Sequence, residues 1–130
     1  MDIPSKLRYH ARHTWLDQSG DGVLIGLTEH AVGGLGDILY VQLPDVGDEL
    51  IIGQSCGAVE SHKTATDIDS PVAGLILDVN DALRTDPGLV NRDPYGAGWL
   101  FRIQATELGP TLTATEYEGL TQLPFPDPIC

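Results

Sequence analysis

Residues 56–79 decide the fold that the sequence predicts, and they run Cys56-Gly57-Ala58-Val59-Glu60-Ser61-His62-Lys63-Thr64-Ala65-Thr66-Asp67-Ile68-Asp69-Ser70-Pro71-Val72-Ala73-Gly74-Leu75-Ile76-Leu77-Asp78-Val79. Residues 56–61 and 71–79 have strand character, and the polar residues 61–67 between them can turn in solvent. The pattern predicts a β-hairpin with Lys63 at its tip. The chain has only two lysines, Lys6 and Lys63. Because lysines are normally exposed, this placement alone leaves two interpretations open: a chemical attachment point, or an ordinary solvated side chain.

The residues around Lys63 favour the first interpretation. Glu60 stands three residues before Lys63 and Gly74 stands eleven after it. With residues 57–68, this spacing resembles the lipoylation hairpin of the H-protein family of the glycine cleavage system. The resemblance extends over roughly residues 3–120. Its further motifs are Tyr9, His13 and Trp15 (Tyr-x-x-x-His-x-Trp), Gly26-Leu27-Thr28-Glu29-His30-Ala31, Leu35-Gly36-Asp37, Leu43-Pro44, Gly47, Val79-Asn80, Leu89-Val90-Asn91, Pro94-Tyr95-Gly96 and Gly98-Trp99.

The resemblance implies a covalent cofactor, lipoate, joined to Lys63 by an amide bond. It implies a non-catalytic carrier whose swinging arm shuttles intermediates and electrons between partner enzymes. A long tether of this kind holds a scarce intermediate at high effective concentration near successive active sites. The residues implied to form the cofactor-binding site are Lys63, Glu60, Gly74, His62 and Asp67.

Two other kinds of site are disfavoured. The biotin hairpin resembles Met-Lys-Met, whereas the only methionine of this chain is Met1. We predict no metal site, because His10 and His13 lie in an extended polar stretch without further clustered ligands. No phosphate-loop, Gly-x-Ser-x-Gly or His-Glu-x-x-His motif is present. The sequence therefore predicts a protein that is not an enzyme.

The resemblance also implies a surface on which the loaded arm docks, formed by Arg12, His13 and Thr14. In H proteins the position of Thr14 is typically a Glu that is thought to hold the positively charged aminomethyl group. Its loss removes a charge-assisted hydrogen bond worth about 1.5–3 kcal/mol. Arg12 would oppose a cationic cargo and favour an anionic one, and the terminal Cys130 fits the anionic cargo as well.

At these positions the sequence is similar to H-like lipoate-binding proteins. Those proteins serve cytoplasmic sulfur oxidation together with a complex that resembles heterodisulfide reductase. The sequence therefore leans toward a sulfur carrier with that complex as its partner. The alternative is a genuine glycine cleavage H protein, whose partners are glycine decarboxylase, aminomethyltransferase and dihydrolipoyl dehydrogenase. Either function requires a lipoate–protein ligase or a lipoyl synthase system to modify Lys63.

Composition narrows the class of protein. The 130 residues carry a net charge of −12, which disfavours nucleic acid and anionic membranes as partners. No apolar run approaches the roughly 20 residues needed to cross a bilayer, and residues 1–6 lack the apolar region of a secretory signal. Two cysteines, Cys56 and Cys130, are too few for a disulfide framework. We expect a cytoplasmic protein, and a monomer because the arm must stay free.

The remaining sequence consists of short strand-like runs separated by Gly and Pro turns, without βαβ alternation. The predicted fold is mainly β: a lipoyl-domain-like flattened β-barrel or sandwich with the modified lysine on a hairpin tip and a few short helices. One lipoyl-binding domain (residues 1–120) precedes a Pro-rich tail (residues 121–130). The predicted core residues are Val23, Ile25, Leu39, Val41, Leu75, Leu77, Val79, Trp99, Phe101 and Ile103.

Two of the short helices have recognisable caps. Thr28 is expected to cap a helix that runs only through Ala31, because the glycines that follow are poor helix formers. A second helix is expected to end at Leu120, with Thr113 or Thr115 as its cap.

Overall fold

The structure is a computed structural model and describes residues 4, 6–18 and 20–121. This part of the chain is mainly β, which confirms the predicted fold class. Its elements are β1 (Arg8–His10), β2 (Thr14–Asp17), β3 (Val23–Leu27), α1 (Glu29–Leu35), β4 (Ile38–Gln42), β5 (Glu49–Leu50), β6 (Ser55–Ser61), β7 (Ala65–Asp69), β8 (Val72–Val79), α2 (Ala82–Thr85), α3 (Leu89–Arg92), β9 (Phe101–Leu108) and α4 (Ala114–Thr121). Apart from Thr121, the predicted tail with Cys130 lies outside the described residues. The domain boundary at residue 120 stays a prediction.

Two antiparallel sheets make up the fold. The larger sheet has the strand order β1-β2-β3-β9-β8-β5, and the smaller has the order β4-β6-β7. Inward-facing side chains of both sheets form one core, for example Ile25 and Ile76 from the larger sheet with Val59 and Ile68 from the smaller. The smaller sheet therefore lies across one face of the larger and carries the β6–β7 hairpin at one end.

The opposite face of the larger sheet holds a second, aromatic cluster. Successive residues of a strand point to opposite faces. On β2, Leu16 accordingly joins the main core, while Trp15 packs with Tyr9 and Tyr117. Tyr117 belongs to α4, so this helix covers the aromatic face. Within the described ranges, no helix combines the length and apolar character needed to cross a membrane.

The hairpin differs from the prediction in its return strand. The sequence suggested residues 71–79, but the strand that pairs with β6 is β7, which begins two residues after Lys63. Residues 72–79 form β8 in the other sheet and pair with β5 and β9. The turn is consequently much tighter than expected. β7 escaped notice because Ile68 is its only buried residue.

The predicted core is correct where the strands are regular and wrong beside bulges. Val23, Ile25, Val41, Val79, Phe101 and Ile103 are buried, and Trp99 is half-buried in the aromatic cluster. By contrast, Leu39, Leu75 and Leu77 are 50%, 41% and 38% exposed. The pairing shifts register between Ile38 and Tyr40 and between Ile76 and Asp78. A bulge adds one residue to a strand and so reverses the face of every residue beyond it.

The helix caps follow the prediction more closely than the helix lengths do. The Thr28 hydroxyl accepts a hydrogen bond from the Ala31 N–H at 3.2 Å, but α1 continues through two glycines to Leu35. Burial of Val32 and Leu35 offsets the poor helix propensity of those glycines. At α4, Thr113 is the cap: its hydroxyl accepts from the Glu116 N–H at 3.2 Å, and the Glu116 carboxylate accepts from the Thr113 N–H at 2.8 Å. This reciprocal pair is a capping box.

Candidate functional site

Lys63 lies at the exposed tip of the β6–β7 hairpin, and Ser61 holds that tip in shape. The Ser61 N–H donates to the Thr64 carbonyl at 2.9 Å. The Ser61 hydroxyl oxygen accepts from the N–H groups of Lys63 and Thr64 at 3.2 and 3.4 Å. A serine hydroxyl that accepts from N–H groups two and three residues ahead stabilises a turn locally. The hairpin tip, residues 61–64, is thus a small ordered platform.

The Lys63 side chain lies beside the C-terminal end of α1. Its Cε and Nζ atoms are 3.8 and 4.0 Å from the position that a Cβ on Gly36 would take. Gly36 ends α1 with φ +79° and donates its N–H to the Val32 carbonyl at 3.0 Å. A residue with this φ is most often glycine, since other side chains are strained there. The lysine stem therefore runs along bare backbone.

The other residues predicted to bind the cofactor do not all lie at the tip. Glu60 and His62 are exposed next to Lys63 on the hairpin. Gly74 instead lies in β8 of the larger sheet, where a Cβ would come within 2.1 Å of the Gln104 carbonyl oxygen. A glycine is needed at this position because β8 and β9 approach each other closely at a bulge. The structure therefore places Gly74 in the scaffold rather than beside the lysine.

A narrow cleft separates the hairpin from the larger sheet and contains three of the predicted residues. Leu35, the residue before Gly36, is one of its walls, so the cleft begins beside the Lys63 stem. Thr14 is 1% exposed, and its hydroxyl oxygen is buried without a hydrogen-bond partner. An unpaired buried hydroxyl normally costs free energy, so a single water molecule or a small polar group that reached it would be stabilised there. The lining residues are Arg12, Thr14, Leu27, Leu35, Val59, Thr66, Asp67, Ile68 and Asp69.

The charges in the cleft differ from the sequence-based interpretation of Arg12. Its guanidinium lies 3.5 Å from the Asp69 carboxylate and forms an ion pair with it. Asp67 adds a second carboxylate to the lining. Two carboxylates face one guanidinium, so the cleft has a net negative charge. This balance favours a cationic occupant over an anionic one.

His13 has a different environment from Arg12 and Thr14. It is fully buried, its φ is +72°, and its Nδ1 lies 2.6 Å from the Tyr117 hydroxyl. The same hydroxyl is 2.7 Å from the Thr28 hydroxyl. These three residues, His13, Thr28 and Tyr117, are called the C-terminal latch below. The latch joins α4 to the start of α1 and to the turn before β2, and His13 does not line the cleft.

Cys56 is buried at the base of the hairpin. It lies on β6, and its thiol donates to the Ile68 carbonyl at 3.2 Å across the sheet. Burial raises the pKa of the Cys56 thiol to about 12, because a buried thiolate is poorly solvated. Cys56 is therefore a structural residue of the core.

The arrangement fits a lipoyl group in one respect: the exposed amine of Lys63 can be acylated without disturbing the core. The narrow cleft has a volume of about 10 Å³, enough for one water molecule, and Thr14 contributes a buried, unpaired hydroxyl to it. Sequence reasoning singled out Lys63, Thr14, Arg12 and Asp67 but missed Ser61. A Ser two residues before an exposed turn residue is a recognised turn signal and could have identified it.

Comparisons with known proteins agree on one family. The family model for "Glycine cleavage H-protein" matches residues 7–122. A glycine cleavage system H protein of Beutenbergia cavernae is 45% identical over 121 residues, which cover 93% of this chain and 98% of that protein. One from Streptomyces coelicolor is 47% identical over 119 residues, covering 90% of this chain and 95% of that protein.

A solved structure gives the same result at the level of the fold. The crystal structure of a glycine cleavage system H protein from Mycobacterium marinum superposes with a TM-score of 0.89 at 46% sequence identity. The match covers 93% of this chain and 100% of that one. The fold is therefore shared over nearly the whole length of both molecules.

Proposed function

Since the chain belongs to the glycine cleavage H-protein family, whose members are non-catalytic carriers of covalently attached lipoate, we propose that Lys63 carries the lipoyl group and that the protein serves glycine cleavage. The observation that carries the proposal is the position of Lys63. It is the exposed lysine at an ordered hairpin tip, next to a cleft that contains a buried unpaired hydroxyl.

The chain contributes presentation rather than chemistry. Lipoate, when bound, supplies a disulfide that accepts a transferred group together with two electrons. Ser61 keeps the Lys63 backbone in one conformation, so a modifying enzyme meets the same turn each time. Because the tip is stabilised within four residues, an arm attached to the Lys63 amine can move without loosening the sheet.

The surface at the mouth of the cleft beside the hairpin is the proposed docking place for the end of the loaded arm. Thr14 offers its hydroxyl, and Asp67 and Asp69 offer carboxylates that favour a cationic cargo. Arg12 acts through its ion pair with Asp69 and sets the net charge of the cleft. His13 is left out of this proposal because its imidazole is buried in the latch.

The electrostatics of the cleft and the names of the relatives both support glycine cleavage, the alternative in the sequence analysis. The lean toward sulfur oxidation rested on Arg12, Thr14 and Cys130. Of these, Arg12 is paired with Asp69 and so is not free to attract anions, and Cys130 lies outside the described residues. We therefore propose glycine decarboxylase, aminomethyltransferase and dihydrolipoyl dehydrogenase as partners, with a lipoate ligase or lipoyl synthase system modifying Lys63. A monomeric state and a cytoplasmic location stay predictions.

The attachment site is tested by intact mass and peptide mapping after co-expression with a lipoate ligase. We expect one lipoyl increment on the wild-type chain, none on Lys63→Arg, and a full increment on the matched variant Lys6→Arg. These two positions are the only lysines in the sequence. Full modification of Lys63→Arg, or mapping of the increment to Lys6, would refute the proposed site.

The cargo is tested with the lipoylated protein in two assays. Glycine-dependent release of carbon dioxide with a glycine decarboxylase should proceed, and it should increase in Arg12→Ser, which leaves both carboxylates of the cleft without a cation. Arg12→Lys keeps the charge and is the matched control. The second assay measures whether thiosulfate or sulfite adds mass to the protein. Mass addition from sulfur together with no glycine turnover would restore the sulfur-carrier interpretation.

A further inference from the structure

The residues that support the lysine stem are themselves held from a distant part of the chain. Lys63 lies along Gly36, and the segment from Gly36 to Ile38 links α1 to β4. Ile38 pairs with Ser61 across the sheet, so this segment runs directly beside the hairpin tip. Any shift of the segment would move the surface along which the lysine stem runs.

Asn91, on α3, forms hydrogen bonds to both ends of this segment. Its side-chain Nδ2 donates to the Gly36 carbonyl at 2.8 Å. Its Oδ1 accepts from the Ile38 N–H at 2.8 Å. The two backbone partners are a carbonyl and an N–H, so they require a donor and an acceptor on one planar group, which an amide side chain provides. A carboxylate in the same place could make only the bond to Ile38.

The position of Asn91 is fixed by its own helix. Val90, its neighbour in α3, is fully buried in the main core, and α3 packs against α1. A continuous set of contacts therefore runs from the core through α3 and Asn91 to the Gly36–Ile38 segment and on to Lys63. Leu35-Gly36-Asp37 and Leu89-Val90-Asn91 were separate motifs in the sequence, and the structure joins them.

We propose that Asn91 is a positioning residue for Lys63, holding the Gly36–Ile38 segment so that the lysine amine points in one main direction. This inference rests on the proposed function in one respect: the direction matters because Lys63 is the residue to be modified. The positioning itself is a property of the unmodified protein. It can be measured whether or not lipoate is attached.

The test uses the two lysines of the chain as signal and internal reference. Protein labelled with ¹³C-lysine gives one Cε resonance each for Lys63 and Lys6. In the wild type, relaxation should show Lys63 Cε more ordered than Lys6 Cε. Asn91→Ala should shift the Lys63 resonance and reduce its order to the level of Lys6, while the Lys6 resonance stays in place. Asn91→Asp retains the shape of the side chain and the hydrogen bond from the Ile38 N–H, so it should give an intermediate result. This variant replaces Asn91→Ala if the alanine variant is too unstable to study.

The matched control is Asn80→Ala. Asn80 also uses its side-chain amide to bind backbone, donating to the Ala97 and Trp99 carbonyls at 2.8 Å each, and neither of these hydrogen bonds involves the 36–38 segment. This variant should leave the Lys63 resonance unchanged even if stability falls. Two results would overturn the proposal. One is equal order of the Lys63 and Lys6 Cε groups in the wild type, and the other is an equal change of the Lys63 resonance in Asn80→Ala and Asn91→Ala.

Lipoylation kinetics provide the functional measurement. A ligase should modify Asn91→Ala with kcat/KM lowered by about tenfold, mainly through kcat, since a misdirected nucleophile slows the chemical step more than binding. Unchanged kinetics would show that the direction of the amine is irrelevant to modification and would end the inference. If mass mapping places lipoate elsewhere while Asn91→Ala still changes the order of Lys63, the proposed function fails and the positioning role stands.

Discussion

The hairpin tip (residues 61–64) and the C-terminal latch (His13, Thr28 and Tyr117) are stabilised in opposite ways. The tip is exposed, and Ser61 makes its hydrogen bonds within three residues. The latch is fully buried, and the side-chain hydrogen bonds that Tyr117 makes with His13 and Thr28 join residues 104 and 89 positions apart. The turn at the tip is therefore closed by local hydrogen bonds, whereas the latch holds distant parts of the chain together.

This difference separates presentation of the lysine from stability of the fold. Substitutions at the tip should change how Lys63 is presented but have little effect on the free energy of unfolding, because few buried contacts are lost. Substitutions in the latch should do the reverse, since they remove buried aromatic surface and hydrogen bonds at once. The four predictions below test this separation.

Tyr117→Ala should have the largest effect. The Tyr117 ring is fully buried and stacks on Tyr9 with centroids 4.9 Å apart and planes 9° apart. Its removal should lower the free energy of unfolding by about 3–5 kcal/mol, measured by urea denaturation. Thr115→Ala, on the exposed side of the same helix, is the control and should change it by less than about 0.5 kcal/mol. Equal midpoints for the two variants would mean that the latch does not stabilise the fold.

Tyr117→Phe should show how much of that effect comes from hydrogen bonding. The ring and its stacking are kept, but the hydroxyl that contacts His13 and Thr28 is lost. We expect a loss of about 1–3 kcal/mol, the usual range for two buried hydrogen bonds. Tyr40→Phe, at a tyrosine that is 53% exposed, should be nearly neutral. A similar small change in both variants would leave stacking alone as the source of the latch's stability.

Ser61→Ala should affect the tip without affecting the latch. Loss of the hydroxyl acceptor should cost about 1 kcal/mol or less. Amide hydrogen exchange should speed up at Lys63 and Thr64, whose N–H groups the hydroxyl accepts, while the Tyr117 N–H keeps its protection. Ser61→Thr retains a hydroxyl and should behave like the wild type. Faster exchange at Tyr117 as well would show that the two regions are coupled.

Glu116→Gln should give the smallest effect, visible only as a pH dependence. Hydrogen bonds from the Thr113 N–H and then from the Thr113 side chain lower the pKa of the Glu116 carboxyl. A pKa lower in the folded state contributes stability above the ordinary glutamate pKa, and this contribution is lost as pH falls through the folded value. The unfolding midpoint of the wild type should therefore fall more steeply at acidic pH than that of the variant. Parallel curves would exclude a role for this cap in the stability of α4.

The sequence predicted the tip far better than its surroundings. Lys63 was identified because polar residues interrupt two apolar runs and because the hairpin resembles a known family. The return strand β7 was missed because an edge strand with one buried residue has little hydrophobic pattern. Leu77 was assigned to the wrong face because the position of a bulge depends on cross-strand pairing, which no local pattern records.

The latch and the charge of the cleft were beyond sequence reasoning for a related cause. Tyr117 belongs to a short predicted helix, and nothing near it in sequence indicates a partner some hundred residues away. Arg12 was interpreted as a free cation, because its ion pair with Asp69 depends on how the two sheets pack. Contacts within a few residues leave a signature in the sequence, whereas contacts between sheets depend on the fold as a whole.

The burial of Cys56 has a consequence for redox selectivity. Disulfide exchange requires a thiolate, and burial raises the pKa of the Cys56 thiol to about 12, so this thiol is protonated at neutral pH. A thiol in this state is a poor nucleophile toward any disulfide tethered to the hairpin tip. Burial thus insulates the cofactor from the one cysteine that the described chain contains.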